Sequence, residues 1–231
     1  MHNLLGLVMT LREAAYGLHW PDTASRIPFG GTPKRIIDVL VSAPAVVVLA
    51  PLLALLALAV KVQDGGPALF VQSRVGRDGR LFACLKFRSM VLNAEERMQA
   101  LLRDDPQAAR EWREMQKLAR DPRVTPVGRV LRATSADELP QLINVLIGDM
   151  SLVGPRPILP EQIDDYGPAF ARYCTARPGL TGLWQVSGRN ETSFRRRSEI
   201  DQTYLRAWRL ETDLALLVRT VDVVFRKRGA C

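Results

Sequence analysis

Residues 39–60 form an almost uninterrupted apolar run in which Ser42 is the only clearly polar member. At helical rise the run reaches about 33 Å, enough to cross a hydrocarbon core. It predicts a membrane-inserted helix rather than a core helix. Pro44 lies early in the run and Pro51 near its middle, and a mid-helix proline removes a backbone hydrogen bond and bends the helix. Lys34 and Arg35 precede the run and Lys61 follows it, so the positive-inside rule gives no direction. Two arrangements satisfy this pattern: a helix–break–helix that enters and leaves on one face, and a kinked span.

Beyond Gly65-Gly66-Pro67 the period changes. Leu69-Phe70-Val71-Gln72 and Leu81-Phe82-Ala83-Cys84-Leu85-Lys86-Phe87 read as strands, with turn chemistry at Arg77-Asp78-Gly79. Lys86 and Arg88 are spaced to share one strand face. Residues 93–120 are charged and helix-forming, interrupted at Asp105-Pro106, and predict a solvated helical hairpin. Residues 127–132 make a short basic helix. Leu139, Leu142, Ile143, Leu146 and Ile147 then recur at helical spacing as far as Gly148. Residues 177–190 are glycine-rich and read as a binding loop, without the Gly-Lys-Ser/Thr ending of a phosphate loop. In residues 204–228, Leu210, Leu214, Leu217, Val218, Val221 and Val224 follow near-helical spacing beside Arg219, Arg226, Lys227 and Arg228. Such a segment either packs on the core or lies along an anionic membrane surface.

Residues 1–18 have some amphipathic character, and Pro21, Pro28, Gly30, Gly31 and Pro33 read as a linker. This start is not a secretory signal. The pattern divides the 231 residues into an N-terminal extension (1–32), a membrane helix (33–63) and a main body (64–231).

Composition narrows the chemistry. With 47% hydrophobic and 24% charged residues, the chain is globular rather than disordered. A net charge of +8 points to anionic partners, and its even spread disfavours a nucleic-acid arm. The three cysteines, Cys84, Cys174 and Cys231, are far apart and suggest a reducing compartment. The only histidines, His2 and His19, lie in the extension. Histidine acid–base work, a Ser-His-Asp triad or a histidine zinc site in the body is therefore disfavoured. Carboxylates, Lys/Arg, cysteine or a hard metal ion remain.

Among carboxylates one pair stands out, Asp137 and Glu138 in Thr134-Ser135-Ala136-Asp137-Glu138-Leu139-Pro140-Gln141. Pro140 belongs in a first helical turn, which makes Asp137 the expected N-cap. There the helix field would keep its carboxylate ionised beside a phosphate-attracting site. An acidic cap with no chemistry is the plainer alternative. Arg156, stiffened by Pro155 and Pro157, suits bidentate phosphate binding.

Taken together, these segments resemble the bacterial sugar transferase family, the monotopic phosphoglycosyl transferases. The resemblance rests on Lys34-Arg35-Ile36-Ile37-Asp38 with the apolar run; Phe70-Val71-Gln72-Ser73-Arg74-Val75-Gly76; Lys86-Phe87-Arg88-Ser89-Met90; Asp137-Glu138-Leu139-Pro140-Gln141; Gly148-Asp149-Met150-Ser151-Leu152-Val153-Gly154-Pro155-Arg156-Pro157; and Arg177-Pro178-Gly179-Leu180-Thr181-Gly182. It implies the short form of the family. The fold is α+β and mostly helical, with a re-entrant membrane helix-break-helix, a cytoplasmic catalytic domain with a small β-hairpin, and amphipathic interfacial helices. The family breaks its membrane helix at a Ser-Pro pair; here the pair is Ala50-Pro51.

The implied reaction moves a sugar 1-phosphate, galactose or glucose 1-phosphate, from a UDP-sugar to polyprenol phosphate with Mg²⁺. Asp137 matches the nucleophile and Glu138 its partner, and both are candidate Mg²⁺ ligands. Lys86, Arg88, Arg156, Arg189 and Asp201 are candidate substrate-binding residues. The implied location is the cytoplasmic face of a bacterial inner membrane, among anionic lipids, with room for a homodimer and no nucleic-acid partner. A noncatalytic membrane scaffold for polysaccharide assembly is the alternative.

Overall fold

A computed structural model describes residues 29–115, 118, 121–187 and 194–225. Arg189, Asn190, the amphipathic start and the basic group Arg226, Lys227 and Arg228 lie outside the described residues.

Helix α1 spans Gly31–Asp64 and contains both Pro44 and Pro51. The break expected at Pro51 is therefore absent: the helix is continuous in its backbone conformation. A proline costs one hydrogen bond to the preceding turn but does not end a helix that is held along its length. One stripe of α1 supplies that hold. Lys34, Asp38, Ser42 and Val60 are buried, Ala45, Val46 and Leu49 pack on the main core, and Leu53, Leu56 and Ala57 join Val60, Phe87 and Leu131 in a second cluster. The opposite stripe, including Leu40, Val47, Val48, Leu55, Leu58 and Val62, is exposed. By length and composition α1 is able to cross a membrane.

Both ends of α1 are anchored to the same body. Near its start, Lys34 pairs with Asp213, and Asp38 accepts from the Ser151 hydroxyl and the Leu152 N–H at 2.9 Å each. At its end, Gln63 accepts from the Val127 N–H at 3.2 Å, and Asp64 pairs with Arg88.

Strands β1 (Leu69–Val75) and β2 (Leu81–Phe87) form an antiparallel hairpin, with Phe70 opposite Lys86, Gln72 opposite Cys84 and Arg74 opposite Phe82. The turn at Arg77–Gly79 is the expected one. Helices α2 (Ala94–Asp104) and α3 (Pro106–Met115) make the predicted charged hairpin, and Asp105 caps α3 through the Gln107 and Ala108 N–H groups. Helix α4 (Pro126–Thr134) is capped by Thr125, whose hydroxyl accepts from the Gly128 N–H.

Helix α5 (Gln141–Ile147) sets Leu142 and Val145 into the core and ends at Gly148, whose φ of 94° favours glycine. Its Asn144 is fully buried and docks on β2, accepting from the Leu85 N–H and donating to the Ala83 carbonyl. Helices α6 (Ile163–Tyr166) and α7 (Phe170–Tyr173) bring Tyr166 and Tyr173 against Val75 and Ile158.

The glycine-rich stretch is not an open loop in its described part, residues 177–187. Gly179–Thr181 is strand β4, parallel to β3 (Ser151–Val153), and Leu183–Ser187 is helix α8. Its glycines serve close backbone approach: a Cβ on Gly179 would lie 2.1 Å from the Gly154 nitrogen, and one on Gly182 2.3 Å from the Gly154 carbonyl oxygen.

The C-terminal apolar stretch divides into α9 (Phe194–Arg206) and α10 (Leu210–Phe225). Leu216 enters the main core beside Tyr204 and Leu205. Leu214, Val218 and Val221 face outward, while Leu217 packs on the core. This arrangement follows from Asp213, which is buried against Lys34, Tyr204 and Trp208 and fixes the rotation of α10.

Candidate active site

The chain from α4 to α5 builds the centre. Ser135, at φ 56°, ends α4 in a left-handed conformation. Ala136–Glu138 then forms a single 3₁₀ turn, and α5 begins only after Pro140. Asp137 is thus not the cap of α5. It sits inside the turn, because the left-handed Ser135 starts a new turn before Pro140 is reached. Its charge is correspondingly less favoured than expected. Burial, then the neighbouring Glu138, push the Asp137 carboxyl above the usual range, against the pull of Lys86 and Arg132.

Glu138 is held by cations. Lys86 Nζ lies 2.8 Å from Glu138 Oε1, and an Arg156 guanidinium nitrogen lies 3.8 Å from the same oxygen. Arg74 completes the group, donating to the Pro157 carbonyl at 3.0 Å and to Gln72 at 2.6 Å. Burial pulls the Arg74 pKa below its ordinary value, and the nearby Arg156 adds to the effect. Arg74, Lys86, Arg156, Glu138, Cys84 and Gln141 line a shallow cleft together with Pro157, Gly179 and Leu180. Three cationic side chains against one carboxylate leave this cleft positive, which suits a polyanionic ligand.

The other candidates divide. Arg156 is in the cleft, and its N–H approaches Asp201 Oδ2 at 3.4 Å. Asp201 is buried behind it and accepts from the Tyr166 hydroxyl at 3.1 Å. Asp201 supports the Arg156 segment rather than lining the cleft. Arg88 does not join the group. Strand β2 ends at Phe87, so the expected shared face with Lys86 stops there, and Arg88 turns to Asp64 and the Pro67 carbonyl. Arg189 is outside the described residues. Arg74 and Gln141 were not read from the sequence as site residues. The hairpin register could have revealed Arg74, since it shares a face with Gln72, Cys84 and Lys86.

Burial raises the Asp201 pKa to about 7. The folded state then holds this proton more tightly than the unfolded chain. The associated stability is full below about pH 4 and is lost as pH rises through 7. Asp201→Asn, a neutral isostere, is expected to flatten the fall in melting temperature between pH 5 and 8. Thermal unfolding in detergent at both values checks this.

Among the described residues no group of three or more His, Cys, Asp or Glu side chains gathers to hold a metal. A closed metal cage is therefore not built there. Asp137 and Glu138, adjacent in one turn, are the donor type of a hard ion such as Mg²⁺, which takes one or two carboxylates and completes its shell with waters and phosphate oxygens.

Comparison with known proteins shows the family. A family model described as bacterial sugar transferase matches residues 30–227. The undecaprenyl-phosphate galactose phosphotransferase of Salmonella typhimurium is 49% identical over 197 residues, 85% of this chain and 41% of that protein. The exopolysaccharide production protein ExoY of Sinorhizobium fredii is 44% identical over 209 residues, 90% of this chain and 92% of that protein. The UDP-glucose:undecaprenyl-phosphate glucose-1-phosphate transferase of Caulobacter vibrioides is 46% identical over 196 residues, 81% of this chain and 68% of that protein. The chain thus spans about two fifths of the Salmonella protein and nearly all of the Sinorhizobium one. A match over residues 30–227, taking in the carboxylate turn and the cationic cleft, places this chain in the bacterial sugar transferase family.

Proposed function

We propose that the protein transfers a hexose 1-phosphate, galactose or glucose 1-phosphate, from a UDP-sugar to a membrane polyprenol phosphate, releasing UMP. This would be the opening step of exopolysaccharide or O-antigen synthesis. The observation that carries the reading is Glu138 held by Lys86 and Arg156 beside Arg74 at one positive cleft, with Asp137 in the same turn. The names of the Salmonella and Caulobacter relatives support the substrate class.

In this reading an Asp137 carboxylate oxygen attacks the β-phosphorus of the UDP-sugar. The bond between the anhydride oxygen and the β-phosphorus breaks, and UMP leaves with its electron pair. A polyprenol phosphate oxygen then attacks the same phosphorus, which returns the electron pair to the Asp137 carboxylate. Lys86 and Arg156 neutralise Glu138 and the incoming phosphates, so two anions can meet. Asp137 and Glu138 would hold Mg²⁺, which supplies further charge neutralisation when bound.

The lipid acceptor calls for a membrane site. Anchoring of both ends of α1 on one body supports a helix whose two ends stay together on the cytoplasmic face of the inner membrane, without the break that the resemblance implies. A span with its ends on opposite sides would draw the body's polar surface into hydrocarbon. The outward stripe of Leu214, Val218 and Val221 supports an interfacial α10. Cysteines introduced just before Lys34 and just after Lys61 are expected to label only from the cytoplasmic side. Labelling from opposite sides would mean a span.

The activity is tested by a UDP-sugar panel with undecaprenyl phosphate and Mg²⁺, assayed for UMP. Release from UDP-galactose or UDP-glucose is expected. No release from any UDP-sugar would favour the noncatalytic scaffold.

A further inference from the structure

Arg156 faces the cleft with incomplete direct support. Its side chain is 37% exposed, and its 3.8 Å separation from Glu138 is too long for a directed hydrogen bond. Its guanidinium carbon also lies 5.5 Å from the centroid of the Trp184 ring, within cation–π range. Trp184 is only 5% exposed, so its ring is fixed by packing. It sits in α8, directly after the strand whose Gly179 and Leu180 line the cleft.

Two further observations single out this ring. Buried indole N–H groups usually find a partner, yet the Trp184 Nε1 has none among the described residues. The ring face, not the N–H, is what the site uses. A second arginine, Arg197, lies 4.8 Å from the same centroid. Arg197 and Asp201 are four residues apart on α9 and so share a helix face. From that face α9 reaches both the Trp184 ring and the Arg156 backbone. Two guanidinium groups thus meet one indole, the Arg156 group at the cleft and the Arg197 group from α9.

We propose that Trp184 is a positioning residue for the donor diphosphate: its ring holds the Arg156 guanidinium at the cleft, so that the phosphates meet a preset arginine. This rests on the UDP-sugar reading above. The test replaces Trp184 alone with mono-, di-, tri- and tetrafluorotryptophan, which weaken cation–π attraction stepwise at nearly constant size. KM for the UDP-sugar is expected to climb along the series to about fivefold, with kcat and melting temperature nearly unchanged. Trp184→Phe, which keeps a ring, should retain most of the affinity, whereas Trp184→Leu should raise KM about tenfold. A purely structural role would shift melting temperature and leave KM of the folded enzyme flat. A flat KM across the fluorinated series, in protein that turns over, would overturn the inference. Absence of turnover by the unsubstituted protein would overturn the donor reading itself, and the inference with it.

Discussion

Asp137→Asn is expected to reduce UMP release to background, a loss of at least about a thousandfold, while the protein stays folded and membrane-bound. The substitution is isosteric but removes the attacking oxygen. The structure adds a second expectation that separates chemistry from folding. Burial and the adjacent Glu138 both disfavour the charged form of Asp137. A carboxyl whose pKa is raised on folding contributes stability only below its unfolded pKa, and loses it as pH rises through the folded value. At neutral pH the neutral amide should therefore match or exceed the native protein in melting temperature. Activity lost with stability kept or gained is the pattern of a group strained for function. UMP release and thermal unfolding measured on one preparation check it. Substantial turnover by Asp137→Asn would remove Asp137 as nucleophile.

The second large effect concerns the fold beneath the cleft. Gly179→Ala is expected to destabilise the protein by at least about 3 kcal/mol, and to abolish activity where any folded protein survives. A Cβ at this position would lie 2.1 Å from the Gly154 nitrogen, 2.4 Å from the Thr181 oxygen and 2.7 Å from the Gly154 Cα. All three are backbone atoms, so no flexible side chain can yield. Strands β3 and β4 would have to part, breaking the Ser151–Gly179 and Val153–Thr181 pairing. Leu180 and Gly179 line the cleft, and Pro155-Arg156-Pro157 continues from the paired strand. A stability loss therefore carries the arginine with it. Denaturant unfolding of the detergent-solubilised variant measures the effect; an unchanged midpoint would contradict the close approach.

Local pattern made much of this fold legible. The apolar run, the hairpin around Arg77–Gly79 and the charged helices divided at Asp105 each follow from residues near one another in sequence. What local pattern missed depends on distant partners. Spacing groups Arg88 with Lys86, but Asp64, on a different element, decides where it points. The glycines of residues 177–190 read as loop residues because their partner strand, Ser151–Val153, lies far upstream. The pattern leaves the stripe of α10 open between core and surface, and Asp213, paired with Lys34 across most of the chain, turns it outward.

The site shows the same division. Asp137, Glu138, Lys86 and Arg156 were legible as motif residues, and the structure gathers Glu138, Lys86 and Arg156 at one cleft with Asp137 in the adjoining turn. The conformation of Asp137 was not legible, because nothing in the sequence marks Ser135 as left-handed. Trp184 and Tyr166 carry no motif of their own and acquire meaning only through the contacts that place them behind or beside Arg156.

The central claim is that Asp137 carries the sugar phosphate between donor and lipid. Incubating the protein with its UDP-sugar and Mg²⁺, without polyprenol phosphate, and measuring intact and peptide masses tests it most directly. The account predicts one hexose-phosphate adduct per chain on the peptide containing Asp137, discharged when polyprenol phosphate is added and absent from Asp137→Asn. UMP release only when the lipid is present, with no adduct at any time, would contradict it.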